Sequence, residues 1–408
     1  MIGIEIMYIP VHFQDIKVNV KPYFDWRLRY ERRLNRDFLT NPSGTGTGGS
    51  APGSTDDDRT DLINRMRAGV EWNYGKEWSG EIQYQLASDS IRTSFSQTSD
   101  DFSDVNLAFA KYRHNNMSLT VGRQKINVGS ERLLGTLEWS TAGRAYDGIR
   151  LQTGSWDAFA FKVGVALPKS NRTRVAGTTY KSSSGLTQVY FKHDGANGTP
   201  DTDVWTLAHA WQKKFDKFTP EAEVAVQSGN SAGRSLRSWA LHGSLSYQQS
   251  SKTRFFVELN AASGGGNADT SYTFDNLLPT NHKFYGSMDM QSWRNMEEVA
   301  FGVEHQFDPK FGAKLHWHKF GLRDASDGWY GAGGGINRGA LGAFIDPTGA
   351  SGKDVGSEID FELSYKLNPR TSFAGGFGIF TPGNFIKARN GGVADKQTWM
   401  YLMGQIRF

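Results

Sequence analysis

The chain has 408 residues, with 46 Lys and Arg against 42 Asp and Glu and a net charge of +4, too small a surplus to name a partner by itself. It has no cysteine, which excludes disulfides and thiolate metal sites. Aromatics are dense (26 Phe, 15 Tyr, 12 Trp), yet mean hydropathy is −0.53. No apolar run approaches the ~18 residues a transmembrane helix needs. Aromatic richness at low hydropathy fits a transmembrane β-barrel, in which only alternate residues face lipid and aromatic girdles mark both interfaces.

In chain order, MIGIEIMYIPVHFQD comes first. It lacks the basic start, apolar centre and small-residue cleavage site of a secretory signal. Residues 1–16 are therefore set apart as an N-terminal segment without an assigned role: mature sequence, a cloning remnant or a misread start. Residues 17–408 read as one barrel domain.

From there the period is two. Phe24, Trp26, Leu28 and Tyr30 alternate with Asp25, Arg27, Arg29 and Glu31. Met66, Ala68, Val70, Trp72 and Tyr74 alternate with Arg65, Arg67, Gly69, Glu71 and Asn73. After a GKE turn, Trp78, Gly80, Ile82, Tyr84 and Leu86 oppose Glu81, Gln83 and Gln85. Phe159, Phe161, Val163 and Val165 alternate with Ala160, Lys162 and Gly164. Further on, Val224 and Val226 oppose Glu223 and Gln227, Val257 and Leu259 oppose Glu258 and Asn260, and Ile359, Phe361 and Leu363 oppose Glu358, Asp360 and Glu362. The apolar half of each alternation is expected to face lipid.

A β-sandwich with one wet face would show the same alternation. Two features favour the barrel. Charged residues line the polar face of nearly every strand, leaving nowhere to pack a second sheet. Short connections (GKE, HNN, GSW, KKFDK) also alternate with long ones (33–59, 89–103, 125–143, 263–293, 321–353), as periplasmic turns alternate with extracellular loops. About 17 strands are clear and residues 172–181 offer a weaker one. Bacterial barrels use even numbers, so the expectation is an all-β, antiparallel transmembrane barrel of 18 strands, with 16 as the alternative.

Residues 122–151, GRQKINVGSERLLGTLEWSTAGRAYDGIRL, hold four arginines among glycines, Trp139 and Tyr146. A wet lumen admits such cations without the cost of charge in hydrocarbon. Arg123, Arg132, Arg144 and Arg150 are thus expected to converge on a constriction. Rings of cations favour anions, and guanidinium forks match carboxylates. Arg27, Arg29, Arg65 and Arg67, on the polar faces of the first two strands, and Lys283 and Arg294 extend the expected anion path, with Arg323, Arg338, Lys387 and Arg389 as further candidates. Asp147 and Glu131 are expected to brace the arginines, with Glu31, Glu71 and Glu81 balancing the early strands and Glu358 and Asp360 acting as lumenal charge partners. On this reading, Arg123→Glu combined with Arg150→Glu lowers or reverses anion preference.

The run GRQ…G…RLLG…W…R.YDG.RL resembles the signature of the alginate export family of outer-membrane porins. FDNLLPTNHKFYGSMD (274–289) with Trp293 and Asn295, LHWHKFGLRDASDGWYGAGG (315–334), VGSEIDFELSYKLN (355–368) and GGFGIFTPGNFI (375–386) follow in order. The resemblance implies an 18-stranded barrel of the bacterial outer membrane whose electropositive lumen passes an anionic uronate polysaccharide. Its partners would be lipid and lipopolysaccharide, an anionic saccharide or other anions, and a periplasmic export component.

Enzyme motifs are sparse: there is no HExxH or P-loop, and Gly264–Gly266 and Gly333–Gly335 precede no helix. No cofactor, metal or nucleic-acid partner is expected. His316 and His318, spaced i, i+2, share a lumenal face, a pair that could bind a metal but is not assigned one, and Asp56, Asp57 and Asp58 lack the alternate spacing of a calcium loop. The rival readings are an outer-membrane hydrolase, and a plugged barrel that anchors a surface assembly.

Overall fold

The computed structural model describes residues 18–39, 58–89, 102–165, 172–195 and 200–408. The segment 1–16 and the pair Asp56 and Asp57 lie outside the described residues. Eighteen strands follow in order: β1 (Val18–Leu34), β2 (Arg59–Tyr74), β3 (Trp78–Asp89), β4 (Phe102–His114), β5 (Met117–Gln124), β6 (Ala145–Thr153), β7 (Trp156–Val165), β8 (Thr173–Ser182), β9 (Gly185–Asp194), β10 (Thr202–Gln212), β11 (Phe218–Ser231), β12 (Arg234–Gln248), β13 (Thr253–Ala262), β14 (Met296–Gln306), β15 (Phe311–Gly321), β16 (Asp354–Asn368), β17 (Thr371–Pro382) and β18 (Gln397–Arg407). The weak segment at 172–181 is β8. Each strand pairs antiparallel with the next, and β18 returns to β1, with Asp25 opposite Arg407 and Leu34 opposite Thr398. The sheet is closed and has no edge.

Turns of two to five residues join the strands at one end. At the other end lie the long connections, among them 125–144, 263–295, 322–353 and 383–396, the last carrying a one-turn helix α1 (Asn384–Arg389). A two-residue turn, Ala232–Gly233, interrupts this series. Near the short turns the outer wall carries aromatic pairs, Trp78 with Tyr112, Trp156 with Tyr180 and Phe218 with Tyr247, with ring centroids 4.7–5.0 Å apart. Between the ends, Val121, Ile149, Leu207, Val226, Leu259 and Phe361 are exposed on the same wall. These are the girdle and apolar band of a membrane barrel.

Inside, polar side chains are buried to a degree that a water-filled tube would not produce: Arg27, Arg65, Gln85, Glu298 and Asp360 are each at most 3 % exposed. The cover comes from the long connections, which fold into the lumen. Segments 125–144 and 263–295 zip together there. Leu134 bridges Leu278 in parallel, Gly135 N donates to Leu278 O, and Leu278 N donates to Leu133 O. Gly135 sits where a Cβ would collide with Thr280 Oγ1, so a side chain there would force the two loops apart.

This packing overturns one sequence expectation. Phe159, Phe161, Val163 and Val165 of β7 were expected to face lipid, but they point inward. Phe159, Phe161 and Val163 are buried in one cluster with Ile126, Val128, Leu133 and Leu134 of the folded-in loop and with Tyr146, Val175 and Tyr190. Val165 lies in a small neighbouring cluster with Ala142 and Ala145. The lipid-facing side of β7 is the smaller set, Ala158, Ala160 and Lys162, in register with Leu151, Ile149 and Asp147 of β6. Alternation fixes which residues share a face, but not which face is out when a plug supplies an apolar interior. We predict that cysteine at Ala160 reacts with a lipid-confined maleimide in membranes, whereas cysteine at Phe161 is protected. Equal labelling of both would refute this register.

Candidate functional site

The tip of the first folded-in loop, residues 137–142, is held by arginines of β1 and β2. In register, Arg27 lies opposite Arg65, and Arg67 opposite Asp25. Adjacent like charges repel unless something between them accepts their hydrogen bonds. The loop tip provides the acceptors. Arg27 donates to Glu138 O (2.7 Å) and Ser140 O (2.8 Å), Arg29 to Trp139 O (2.5 Å), and Arg65 to Glu138 O (3.0 Å). Arg67 donates to the Glu138 carboxylate (2.8 Å) and to Ala142 O (3.3 Å). Lys125 completes the cluster at 2.6 Å from Glu138. Burial alone would push the Glu138 carboxyl up, but Arg67, Lys125 and Arg65 together hold it down at about 2.

Most of these acceptors are neutral carbonyls. They accept from the terminal guanidinium N–H groups without cancelling their charge, while the buried Nε atoms of Arg27 and Arg65 make no hydrogen bond among the described residues. Arg27, Arg29, Arg65, Arg67 and Lys125 meet the carboxylates of Asp25, Glu31 and Glu138, so the latch keeps a cationic surplus. Of the expected balancing acids, Glu31 does pair with Arg29 (2.5 Å). Glu71 instead reaches Lys21 and Arg407, and Glu81 accepts from the Tyr23 hydroxyl.

The other expected residues fall into three groups. Arg132 and Arg144 tie loops together. Arg132 is buried, 2.9 Å from Glu258 and under the Phe284 ring, and it donates to Tyr285. Arg144 donates to the carbonyls of Leu278 (2.6 Å), Gly135 and Pro279. Arg294 reaches Gly334 O and lies over the Tyr330 ring. Arg150 points into the lumen near the turns, clamped by both oxygens of Asp157. The expected acids Glu358 and Asp360 accept from the backbone amides of Met288 and Ser287, pinning the second loop from below and not partnering arginines. Glu131 takes the Thr280 hydroxyl and lies 3.4 Å from Lys283, whose side chain stays about half exposed.

Arg123 and Asp147 do not belong to the lumen. They are in register with each other and in phase with the exposed Val121 and Ile149, so they lie on the outer wall, joined by a two-pronged ion pair. The reason is parity: Gln124 and Tyr146, one residue on, are the inward pair, and Tyr146 donates to Gly135 O of the loop. The convergence of four arginines expected from residues 122–151 is therefore split among the outer wall, the loop braces and the turn end of the lumen. Of the further candidates, Arg323 is exposed and pairs with Glu297.

Two cavities flank the zipped loops. The one at the loop end, about 570 Å³, is lined by Arg29, Arg33, Arg36, Arg59 and Arg338, by Glu31, Asp37, Asp61 and Asp289, and by Trp139 stacked on His282 at 3.9 Å. The one on the turn side, about 490 Å³, is lined by Arg132, Arg254 and Lys283 with Glu223, Glu258, Glu304 and three histidines, His242, His316 and His318. His282 lines one and Lys283 the other, so along the second loop the partition is a single residue thick. Arg33 and Arg59, absent from the sequence-based set, follow the same inward parity as Arg27 and Arg65 and could have been found by extending it. Trp139 and His282 could not, because their contact joins loops 143 residues apart.

The Glu138 carboxyl titrates below the ordinary carboxylate range. Its anchoring is therefore complete above about pH 4.5 and is lost as pH falls toward 2. Single-channel conductance and noise are expected to stay level from pH 5 to 8 and to rise below about pH 4. Glu138→Gln should show the raised noise at every pH. An acid transition of equal size in Glu138→Gln would assign the titration to another group.

The family model for alginate export matches residues 23–399. No curated protein matches the chain. Among solved structures it is similar to three Pseudomonas aeruginosa outer-membrane proteins. OpdQ aligns with TM-score 0.61 at 15% identity, covering 95% of this chain and 97% of that one. OccK5 (OpdH) aligns at 0.60 and 11%, covering 96% and 98%. OccK2 (OpdF), crystallised in complex with glucuronate, aligns at 0.60 and 11%, covering 96% of each. At these identities the likeness is one of fold. With the closed 18-strand barrel and its apolar outer band, the match over nearly the whole chain leads to one conclusion: this chain is a bacterial outer-membrane β-barrel porin and belongs to the alginate export family.

Proposed function

We propose that the channel passes anionic saccharides or other small carboxylates, selected by the cationic loop-end cavity and the arginine latch beneath it. The observation that carries this reading is the lining of that cavity. Five guanidinium groups line it, one of them, Arg29, lying over the Trp139 ring at 3.9 Å on the side away from His282. Guanidinium forks bind carboxylates in two-pronged fashion. A uronate presents such a carboxylate. That OccK2 was crystallised with glucuronate supports the chemistry.

The latch contributes a fixed field. Arginines bonded to carbonyls stay charged and immobile, which raises local anion concentration without offering a deep binding well. Conduction requires binding weak enough for release, and the cavity acids Glu31, Asp61 and Asp289 compete with the solute for the same guanidinium groups. Alginate, a polyuronate, would thread past Trp139 as successive carboxylates exchange between these cations. No covalent chemistry is needed for such transport.

In a planar bilayer, a short uronate oligomer is expected to block the anion current at micromolar to millimolar concentration. Arg33→Glu with Arg59→Glu should weaken that block at least about tenfold, the loss expected when about 1.4 kcal/mol of binding is removed. Arg123→Glu, on the outer wall, should leave both block and reversal potential unchanged. Block that is insensitive to the Arg33 and Arg59 changes would remove the loop-end cavity from the path.

A further inference from the structure

The outer wall of β5–β10 carries a row of polar residues where a barrel facing only hydrocarbon would have none. Arg123, Asp147, Lys162, Arg174, His193 and Asp203 are consecutive cross-strand partners, one from each strand. They lie on the loop-end side of the lipid-facing row. The next outward row toward the turns is Val121, Ile149, Ala160, Ala176, Phe191 and Trp205, again in register. The polar row therefore marks where hydrocarbon ends, at the level of the outer leaflet's headgroups.

Its ends are self-neutralised. Arg123 is clamped by Asp147, with Asp104 at 3.2 Å, and His193 Nδ1 lies 2.8 Å from Asp203. The middle is not. Lys162 and Arg174 are directly opposed across β7 and β8, both exposed, and among the described residues neither has an ion pair or hydrogen bond. Two adjacent unneutralised cations on a membrane-facing wall repel each other, and an anion seated between them turns that repulsion into attraction.

Directly beneath them the wall is concave. A hollow of about 520 Å³ joins Lys162, Arg174, His193 and Asp147, whose carboxylate is taken by Arg123, to Ala160, Ala176 and Phe191. It shares its alanines and Phe191 with a second hollow of about 490 Å³ that runs toward the turns between Ile149 and Trp205. The floor is small because β7 is inverted: its large side chains went inward to pack the loop, leaving Ala158 and Ala160 outside. A cationic head above an apolar furrow is complementary to one kind of molecule, an acyl lipid with a phosphate at its headgroup.

We propose that this furrow is a specific site for the phosphorylated glycolipid of the outer leaflet, with a phosphate between Lys162 and Arg174 and an acyl chain along Ala160 and Ala176. The position of the row at the loop end, facing the outer leaflet, selects the glycolipid over a phospholipid.

The test is native mass spectrometry of the detergent-purified barrel titrated with diphosphoryl lipid A, with dephosphorylated lipid A and with phosphatidylglycerol. A one-to-one lipid A adduct is expected, at least tenfold weaker in Lys162→Glu/Arg174→Glu, with the other two lipids binding no better than to that variant. Ala176→Phe, which fills the furrow and leaves the charges, should weaken the adduct as well. Heat-modifiable migration on gels confirms a folded barrel, and Lys162→Gln replaces the double variant if that variant does not fold. Undiminished lipid A binding by the charge variants, or phosphatidylglycerol binding as tightly as lipid A, would overturn the proposal. Channel block by uronate is independent of this outcome.

Discussion

The structure depends on how four arginines, placed side by side on the inner wall of β1 and β2, are kept from repelling one another. The answer is a loop tip that presents backbone carbonyls. Glu138 O, Trp139 O, Ser140 O and Ala142 O take the hydrogen bonds of Arg27, Arg29, Arg65 and Arg67. A hydrogen bond to a charged group contributes about 1.5–3 kcal/mol net, so losing one loosens the tip and losing several releases it. Because the acceptors are mostly neutral, structural anchoring and electrostatic function do not compete. The cations that fix the plug remain cations.

The consequences spread outward from that latch. Folding the loop inward requires an apolar surface to receive Ile126, Val128, Leu133 and Leu134, and β7 provides it by turning Phe159, Phe161 and Val163 into the lumen. The second loop then closes over the first through Leu278 and Thr280, and is itself held by the acids Glu358 and Asp360. What remains open is the cavity on either side of a thin partition. The inverted β7 in turn leaves a shallow, small-residue furrow on the outside, beneath Lys162 and Arg174.

Much of this was legible in the sequence, because a barrel's period-two pattern is local. Strand number, the alternation of short turns and long loops, and the weak strand at β8 follow from residues close together in the chain. So does the grouping of Arg27 with Arg29 and Arg65 with Arg67. The sequence could not show what needs a third dimension. Arg123 and Arg150 lie 27 residues apart, in the strands on either side of the folded-in loop, and only the register of β5 on β6 shows that one faces lipid and the other the lumen. Glu138 reads as one more charge in a loop, yet it is the anion that three cations share. Trp139 and His282 meet only because the two loops zip. The polarity of β7 was misread because hydrophobic residues are outward in a hollow barrel, whereas this lumen is partly filled.

The central claim is that arginines bonded to carbonyls keep the lumen electropositive. The most direct measurement is the reversal potential of single channels in a planar bilayer under a KCl gradient at neutral pH. A reversal potential of the sign set by chloride is what a charged, carbonyl-held latch predicts. Cation selectivity would contradict it, and would mean that the buried carboxylates, not the arginines, set the field along the path.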